Sequence, residues 1–351
     1  MSAAAAGHAA VALPYQVQRV DVFDEIGDPE SRPADGPGTN ILLMGTDGRD
    51  TITREEKAAF HAGGRACDCA DTLMLIHVSA MRDHVSVVSL PRDSYADIPA
   101  HIDKRTGAQQ PAHPAKINAA YAKGGPALSV RTVEQMTGVR IDRYLQIDFR
   151  RFIDSVEAVD GVDVCTPRPL KDPATKLDLS PGTHRLGGGP SLQYVRSRKV
   201  DASADLGRVQ RQQKFLVGVL RRLGSRHLLA NPFTADDLAR KVLGSTRVDQ
   251  GFTVAELISL TRRLSYLPAS QTEFTTVPLA GFNPLIEGVG STLRWDKDKA
   301  AEMFARINRD QALTPLNSPA RPLDPPRMDV QYPVRGDTLV CSASAPDPGR
   351  Y

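Results

Sequence analysis

The sequence predicts an α/β domain, and two kinds of segment carry that prediction. Residues 40–45 (NILLMG), 72–78 (TLMLIHV) and 85–90 (VSVVSL) are short apolar runs bounded by polar or turn residues, as buried strands are. Segments 131–136, 151–159, 254–264, 299–307 and the stretch starting at Leu206 read as helices. With 351 residues the chain can bury one large core, or a core with a small appendage.

Along the chain, residues 1–38 show little periodicity and read as a leader or arm. Residues 39–310 form the expected folded body, and the proline-rich stretch 311–351 reads as a loosely ordered tail. Only Ser79 to His84 separates the second and third strand runs, a length that suits a hairpin. An up-down-up meander then follows. It brings Asp47, after the first strand, Asp71, before the second, and Arg92, after the third, to one end of the sheet. Each acid alone reads as an ordinary turn or strand-end residue. Together, two carboxylates at one strand edge form a hard-oxygen site of the kind Mg²⁺ uses.

Residues 116–125 (KINAAYAKGG) read as a short helix closed by a glycine pair. Lys116 either adds a cation to the site or is simply exposed, and Asn118 either caps or anchors. Residues 162–164 read as a short strand. Residues 186–190 read as a glycine turn leading into a strand, 194–199 (YVRSRK), on which Arg196 and Arg198 share a face. The next helix takes Asp205 as its N-cap and presents Arg208 and Gln212, four residues apart, on one side. Paired guanidinium forks suit phosphate oxygens, so these elements together look like a diphosphate clamp. An isolated R-x-R would more often be a solvated surface. The same helix continues with Leu216, Val219, Leu220 and Leu223 at helical spacing, which is either a core face or the wall of an apolar tunnel.

The net charge is only +3, and no dense basic helix or helix-turn-helix signature appears, so a nucleic-acid partner is not expected. No run of 18 apolar residues marks a membrane span, and the Ala-rich start, 3–13, is too short and broken to be one. The eight histidines are scattered and match no zinc-protease motif; they read as surface or packing residues.

Six motifs in one order then point to a family: NILLMGTDGR (40–49), DTLML (71–75), SLPRD (89–93), KINAAYAKGG (116–125), YVRSR (194–198) and DLGRVQRQQ (205–213). Over roughly residues 38–225 the chain resembles the extracytoplasmic domain of the LytR-CpsA-Psr cell-wall ligases. The resemblance implies a three-layer α/β/α sandwich around a central mixed sheet. It also implies transfer of a glycopolymer from a polyprenyl diphosphate carrier to peptidoglycan, with Mg²⁺ or Mn²⁺ as cofactor. By the same resemblance Asp47 and Asp71 sit beside the divalent ion. Arg92, Arg196, Arg198, Arg208 and Gln212 hold the diphosphate, and Lys116 and Tyr121 are further pocket residues. Arg49, Asp93 and Asp205 lie in the motifs as well. The long gap between Asp47 and Asp71, holding Cys67-Asp68-Cys69, departs from the family pattern.

The resemblance places the domain on the outer face of a bacterial membrane, held by an N-terminal helix upstream of this chain. In that compartment the even cysteine count (Cys67, Cys69, Cys165, Cys341) allows two disulfides in three connectivities. Three functions compete. The first is a phosphotransferase in which Asp47 or Asp93 takes the proton of an attacking sugar hydroxyl. The second is a binding protein that holds polyprenyl phosphates without chemistry, or a diphosphatase if water is the acceptor. The third, a transcription regulator, has no sequence support.

Overall fold

The computed structural model describes residues 17–27, 29–63, 69–200, 204–224, 244, 246–314, 326–328 and 331–340. Residues 3–13, Cys67 and Cys341 lie outside these. Eight strands form the central sheet: β1 (Gln18–Val20), β2 (Thr39–Thr46), β3 (Ala70–Val78), β4 (Val85–Ser89), β5 (Arg143–Ile147), β6 (Arg247–Asp249), β7 (Thr272–Thr276) and β8 (Val334–Arg335). Their spatial order is β1-β6-β5-β2-β3-β4-β7-β8. The middle of the sheet is the antiparallel meander β2-β3-β4. The pairs β2–β5, β4–β7 and β1–β6 are parallel, so the sheet is mixed. Segments outside 39–310 close both of its edges, β1 on one side and β8 on the other.

Alternation along the central strands creates the layers. On β2, Leu42 and Met44 enter a core shared with Ala127, Leu128 and Val130 of α2 (Ala119–Thr137) and with Met303 and Phe304 of α7 (Lys297–Asn308). Ile41 and Leu43 point the other way. They meet Leu216, Val217 and Leu220 of α5 (Ala204–Leu223) and Leu260 and Leu264 of α6 (Val254–Tyr266). Helices therefore cover both faces, giving the α/β/α layering. A satellite core joins α3 (Phe149–Ala158), the hairpin of Val162–Thr166 with Gly182–Leu186, Tyr194 and Phe215. Gln213 fixes α5 to the sheet: its Nε2 donates to Ser89 Oγ at 2.9 Å and to the Thr275 carbonyl at 2.8 Å. No helix among the described residues is long and apolar enough to cross a membrane.

Three local expectations are corrected. The segment 194–199 is not a strand: α4 (Gly188–Arg196) is a helix ending at Arg196. Ser191, Leu192 and Tyr194 bury its inner side, and Pro190 is tolerated in the first turn. The glycines at its start serve close packing rather than a turn. A Cβ at Gly188 would lie 2.6 Å from Ile153 Cγ2, and one at Gly189 only 2.2 Å from the Phe60 ring. Asp205 is not an N-cap but lies within the first turn of α5, which begins at Ala204. The glycine pair at 124–125 does interrupt a helix, since Gly125 has φ +69°, but Pro126 restarts it and α2 runs on to Thr137.

Candidate active site

The meander delivers its acids as the strand order requires. The β2–β3 register shifts between Gly45, opposite Thr72, and Thr46, opposite Ala70, so Asp71 is the extra residue on β3, and Asp47 follows directly on the end of β2. Asp47 is buried, receives Arg49 Nε on its Oδ1 at 2.6 Å, and its backbone N–H donates to the Cys69 carbonyl at 3.1 Å. The inserted segment thus returns to brace this acid. Its helix α1 (Arg54–Ala59) is closed by a Thr53/Glu56 capping box and tied to α3 by the Arg150–Glu56 ion pair. Neither Cys69 nor Cys165 carries a free thiol.

Asp71, near the start of β3, is the hub of the cluster. Its Oδ1 pairs with Arg92 Nη1 and lies 4.0 Å from both Arg198 Nη2 and Arg208 Nη1. Asp205 joins the same two arginines from α5, with Arg208 Nη2 at 2.8 Å and Arg198 Nε at 3.3 Å. Asp93 takes Lys116 Nζ at 2.9 Å and Arg92 Nε at 3.6 Å. Six cations, Arg49, Arg92, Lys116, Arg196, Arg198 and Arg208, face the four carboxylates Asp47, Asp71, Asp93 and Asp205. Two positive charges remain in surplus, the balance an anionic ligand would meet.

Although the strand is absent, Arg196 and Arg198 still converge, because they flank the C-cap Ser197. The Arg196 guanidinium lies 4.9 Å over the Phe149 ring. Asp172 accepts the backbone N–H groups of Arg198 and Lys199 at 2.6 and 2.9 Å, fixing the exit from α4. Burial is the main influence holding Arg196 below its ordinary value, with Arg49 adding repulsion while Asp47 and Asp71 oppose it. Arg208 is 3% exposed, and burial brings it down to about 10 despite Asp205. Its Nε is buried with no hydrogen-bond partner among the described residues. At Arg92 burial also acts downward, but Asp71, Asp205 and Asp93 outweigh it and raise the guanidinium.

Arg196, Arg208 and Gln212 line a cavity of about 330 Å³ whose walls are otherwise mostly apolar. Asp71 stands at the polar end. Leu43 and Met74 form the sheet side, Phe152 and Val156 come from α3, and Phe215 and Val219 come from α5. The Leu216, Val219 and Leu223 stripe therefore lines a cavity, while Leu220 packs on the sheet core. Tyr121 is not in the arginine cluster. Its hydroxyl accepts Gln146 Nε2 at 2.9 Å, and that nitrogen also reaches Thr46 Oγ1 at 3.3 Å, so its link to the site is indirect. Phe149 and Asp172 were not singled out from the sequence; each is an isolated residue whose role depends on a distant arginine.

The oxygens of Asp47 and Asp71 are the hard donors a divalent ion prefers, with phosphate oxygens and water to complete its shell. Both carboxylates act to raise the Arg196 guanidinium against its burial. By donor chemistry these two carboxylates suit such an ion.

Comparison with known proteins gives the family and the fold. The profile of the LytR_cpsA_psr family matches residues 12–309. A probable cell wall biosynthesis protein, LcpB of Corynebacterium glutamicum, is 34% identical over 80% of this chain. The polyisoprenyl-teichoic acid–peptidoglycan teichoic acid transferase TagV of Bacillus subtilis is 28% identical over 67%. The matches span 63% and 56% of those two proteins' own lengths. Among solved structures, a LytR-Csp2A-Psr enzyme from Actinomyces oris superimposes with a TM-score of 0.61 at 23% identity, covering 83% of this chain and 95% of its own. The chain belongs to the LytR-CpsA-Psr family.

Proposed function

We propose that this chain is a phosphotransferase that moves a glycopolymer from a polyprenyl diphosphate carrier to a sugar hydroxyl of peptidoglycan, on the outer face of a bacterial membrane. One observation carries the reading: Arg196, Arg208 and Gln212, with Arg92 and Arg198 adjoining through Asp71, stand at one end of an apolar cavity of about 330 Å³. Such a site accepts a ligand with an anionic head and a hydrocarbon tail. The curated names of its relatives, a cell wall biosynthesis protein and a teichoic acid transferase, fit the same reading.

In the proposed reaction the acceptor oxygen attacks the sugar-linked phosphorus. The bond from that phosphorus to the bridging oxygen breaks, and polyprenyl phosphate leaves. Arg92, Arg196, Arg198 and Arg208 hold the diphosphate and offset the charge that develops on its oxygens, the dominant source of rate in phosphoryl transfer. Asp93, partly exposed, or Asp47 accepts the proton of the attacking hydroxyl. A Mg²⁺ or Mn²⁺ ion held by Asp47 and Asp71 would supply further charge neutralisation. The cavity wall from α5 and the sheet shelters the isoprenoid from water.

The test is transfer in vitro from a prenyl diphosphate-linked oligosaccharide to a soluble peptidoglycan fragment. Mass spectrometry should find the acceptor joined to the donor sugar through one phosphate, with prenyl monophosphate released. Hydrolysis without transfer would make the protein a diphosphatase, and binding without turnover would make it a carrier.

A further inference from the structure

At the end of β3 away from the arginines, three side chains converge that the sequence treats as unrelated. One ring nitrogen each from His77 and His84 and one carboxylate oxygen of Asp310 lie within 4.8 Å of one another. Asp71 and His77 are six positions apart along extended strand, roughly 20 Å, so this cluster is distinct from the site described above.

Hydrogen bonding fixes which atoms are free. Asn40 Nδ2 donates to the Arg140 carbonyl at 2.9 Å, so its Oδ1 faces His77 Nδ1 at 2.8 Å and that nitrogen carries the proton. In a neutral ring His77 Nε2 is then a lone pair, yet it points at Asp310 Oδ1 from 2.8 Å. A proton on Nε2 makes this contact an imidazolium–carboxylate pair, and a metal ion displacing that proton would take both atoms as ligands. His84 is oriented in the same manner. Its Nδ1 bonds Asp83 Oδ1 at 3.0 Å, and its Nε2 is buried without a partner among the described residues. A carboxylate or amide oxygen on one nitrogen with the other left bare is how proteins present imidazoles to metals.

His77 is fully buried, while His84 and Asp310 are only 18% and 17% exposed, enough for an ion to enter from one side. Asp310 reaches inward from the turn after α7, its backbone at φ +55° and its carboxylate steadied by the Ala80 N–H at 3.1 Å.

We propose that His77, His84 and Asp310 form a binding site for a borderline divalent transition metal of the Zn²⁺ class, which pins the β3–β4 hairpin to the end of α7. Two imidazoles and one carboxylate suit Zn²⁺, Co²⁺ or Ni²⁺ and leave a fourth position for water. Tetrahedral ligands about 2.1 Å from an ion lie about 3.4 Å apart, so closing the present arrangement takes shifts of roughly 1 to 1.5 Å. The hard-oxygen site at Asp47 and Asp71 does not compete for such an ion on equal terms, because it offers no nitrogen.

The test uses the full chain, stripped with chelator and titrated with Co²⁺ in excess Mg²⁺. The expected result is one Co²⁺ per chain with the intense visible absorption of a low-coordinate, nitrogen-ligated ion, and a melting temperature raised by Zn²⁺. His84→Gln, at a partly exposed position that leaves the core untouched, should weaken binding at least about tenfold and abolish the Zn²⁺-dependent rise. Asp310→Asn should do the same, and Asp71→Asn should leave both readouts unchanged. Wild-type Co²⁺ affinity in His84→Gln, or only the weak spectrum of hydrated Co²⁺ with no change in melting, overturns the proposal.

Discussion

Replacing Arg208 by Met separates the binding role of this guanidinium from any structural one. Arg208 is almost wholly buried on α5, burial brings it down to about 10, and its Nε has no hydrogen-bond partner among the described residues. A cation whose affinity for its proton falls on folding loses stability at every pH where it is charged in both states. The loss is complete at neutral pH and fades only as pH rises through about 10. At about 1.4 kcal/mol per tenfold, the ligand-free fold gives up roughly 3 kcal/mol to keep this charge. Methionine fills similar volume without the charge. Asp205 keeps Arg198 at 3.3 Å and Asp71 keeps Arg92, so neither acid is stranded. Arg208→Met should therefore stabilise the ligand-free protein by about 1 to 3 kcal/mol in urea denaturation at pH 7. It should also weaken binding of a soluble prenyl diphosphate by about 1.5 to 3 kcal/mol, or roughly 10- to 150-fold, in calorimetry. Destabilisation by 1 kcal/mol or more with affinity intact would refute the reasoning and make Arg208 a structural brace.

Arg196→Ala and Arg198→Ala should each cost about 1.5 to 3 kcal/mol of donor binding and nearly abolish transfer, with an unchanged circular dichroism spectrum; wild-type turnover in both would remove the clamp assignment. Transfer should require a divalent cation, and Asp71→Ala should weaken that dependence or end activity, whereas full turnover in excess chelator would contradict the acidic site. Prenyl diphosphates should bind more tightly as the chain lengthens, by about 0.8 kcal/mol per buried methylene until the cavity is full, and Val219→Gln should penalise long chains more than short ones. Mass spectrometry without reductant should find no free thiol at any of the four cysteines; an alkylatable thiol in freshly purified protein would count against the pairing.

The meander was legible in the sequence because β2, β3 and β4 each centre on a short, mainly apolar run bounded by polar or turn residues. Once the strands alternate in direction, their order alone places Asp47, Asp71 and Arg92 at one end. Helix α4 was not legible. The glycines 187–189 at its start look like a turn, and the purpose of Gly188 and Gly189, room for Ile153 and Phe60, exists only in the folded protein. The arginines still converge because the C-cap at Ser197 turns the chain between them, a geometry that a strand reading reaches for the wrong reason. The apolar stripe on α5 carried two meanings that periodicity cannot separate. Only the packing of α3 and the sheet around it shows that part of the stripe faces open space. The histidines gave no signal at all, since His77 and Asp310 are 233 positions apart and meet only when α7 docks beside β3.

The most direct measurement is a crystal structure of the protein soaked or co-crystallised with a prenyl diphosphate of several isoprene units. The account predicts both phosphates within hydrogen-bond reach of Arg196, Arg198 and Arg208, and the hydrocarbon tail between the sheet and α5 in contact with Phe215 and Val219. Phosphates bound elsewhere, or a tail lying outside that cavity, would contradict it.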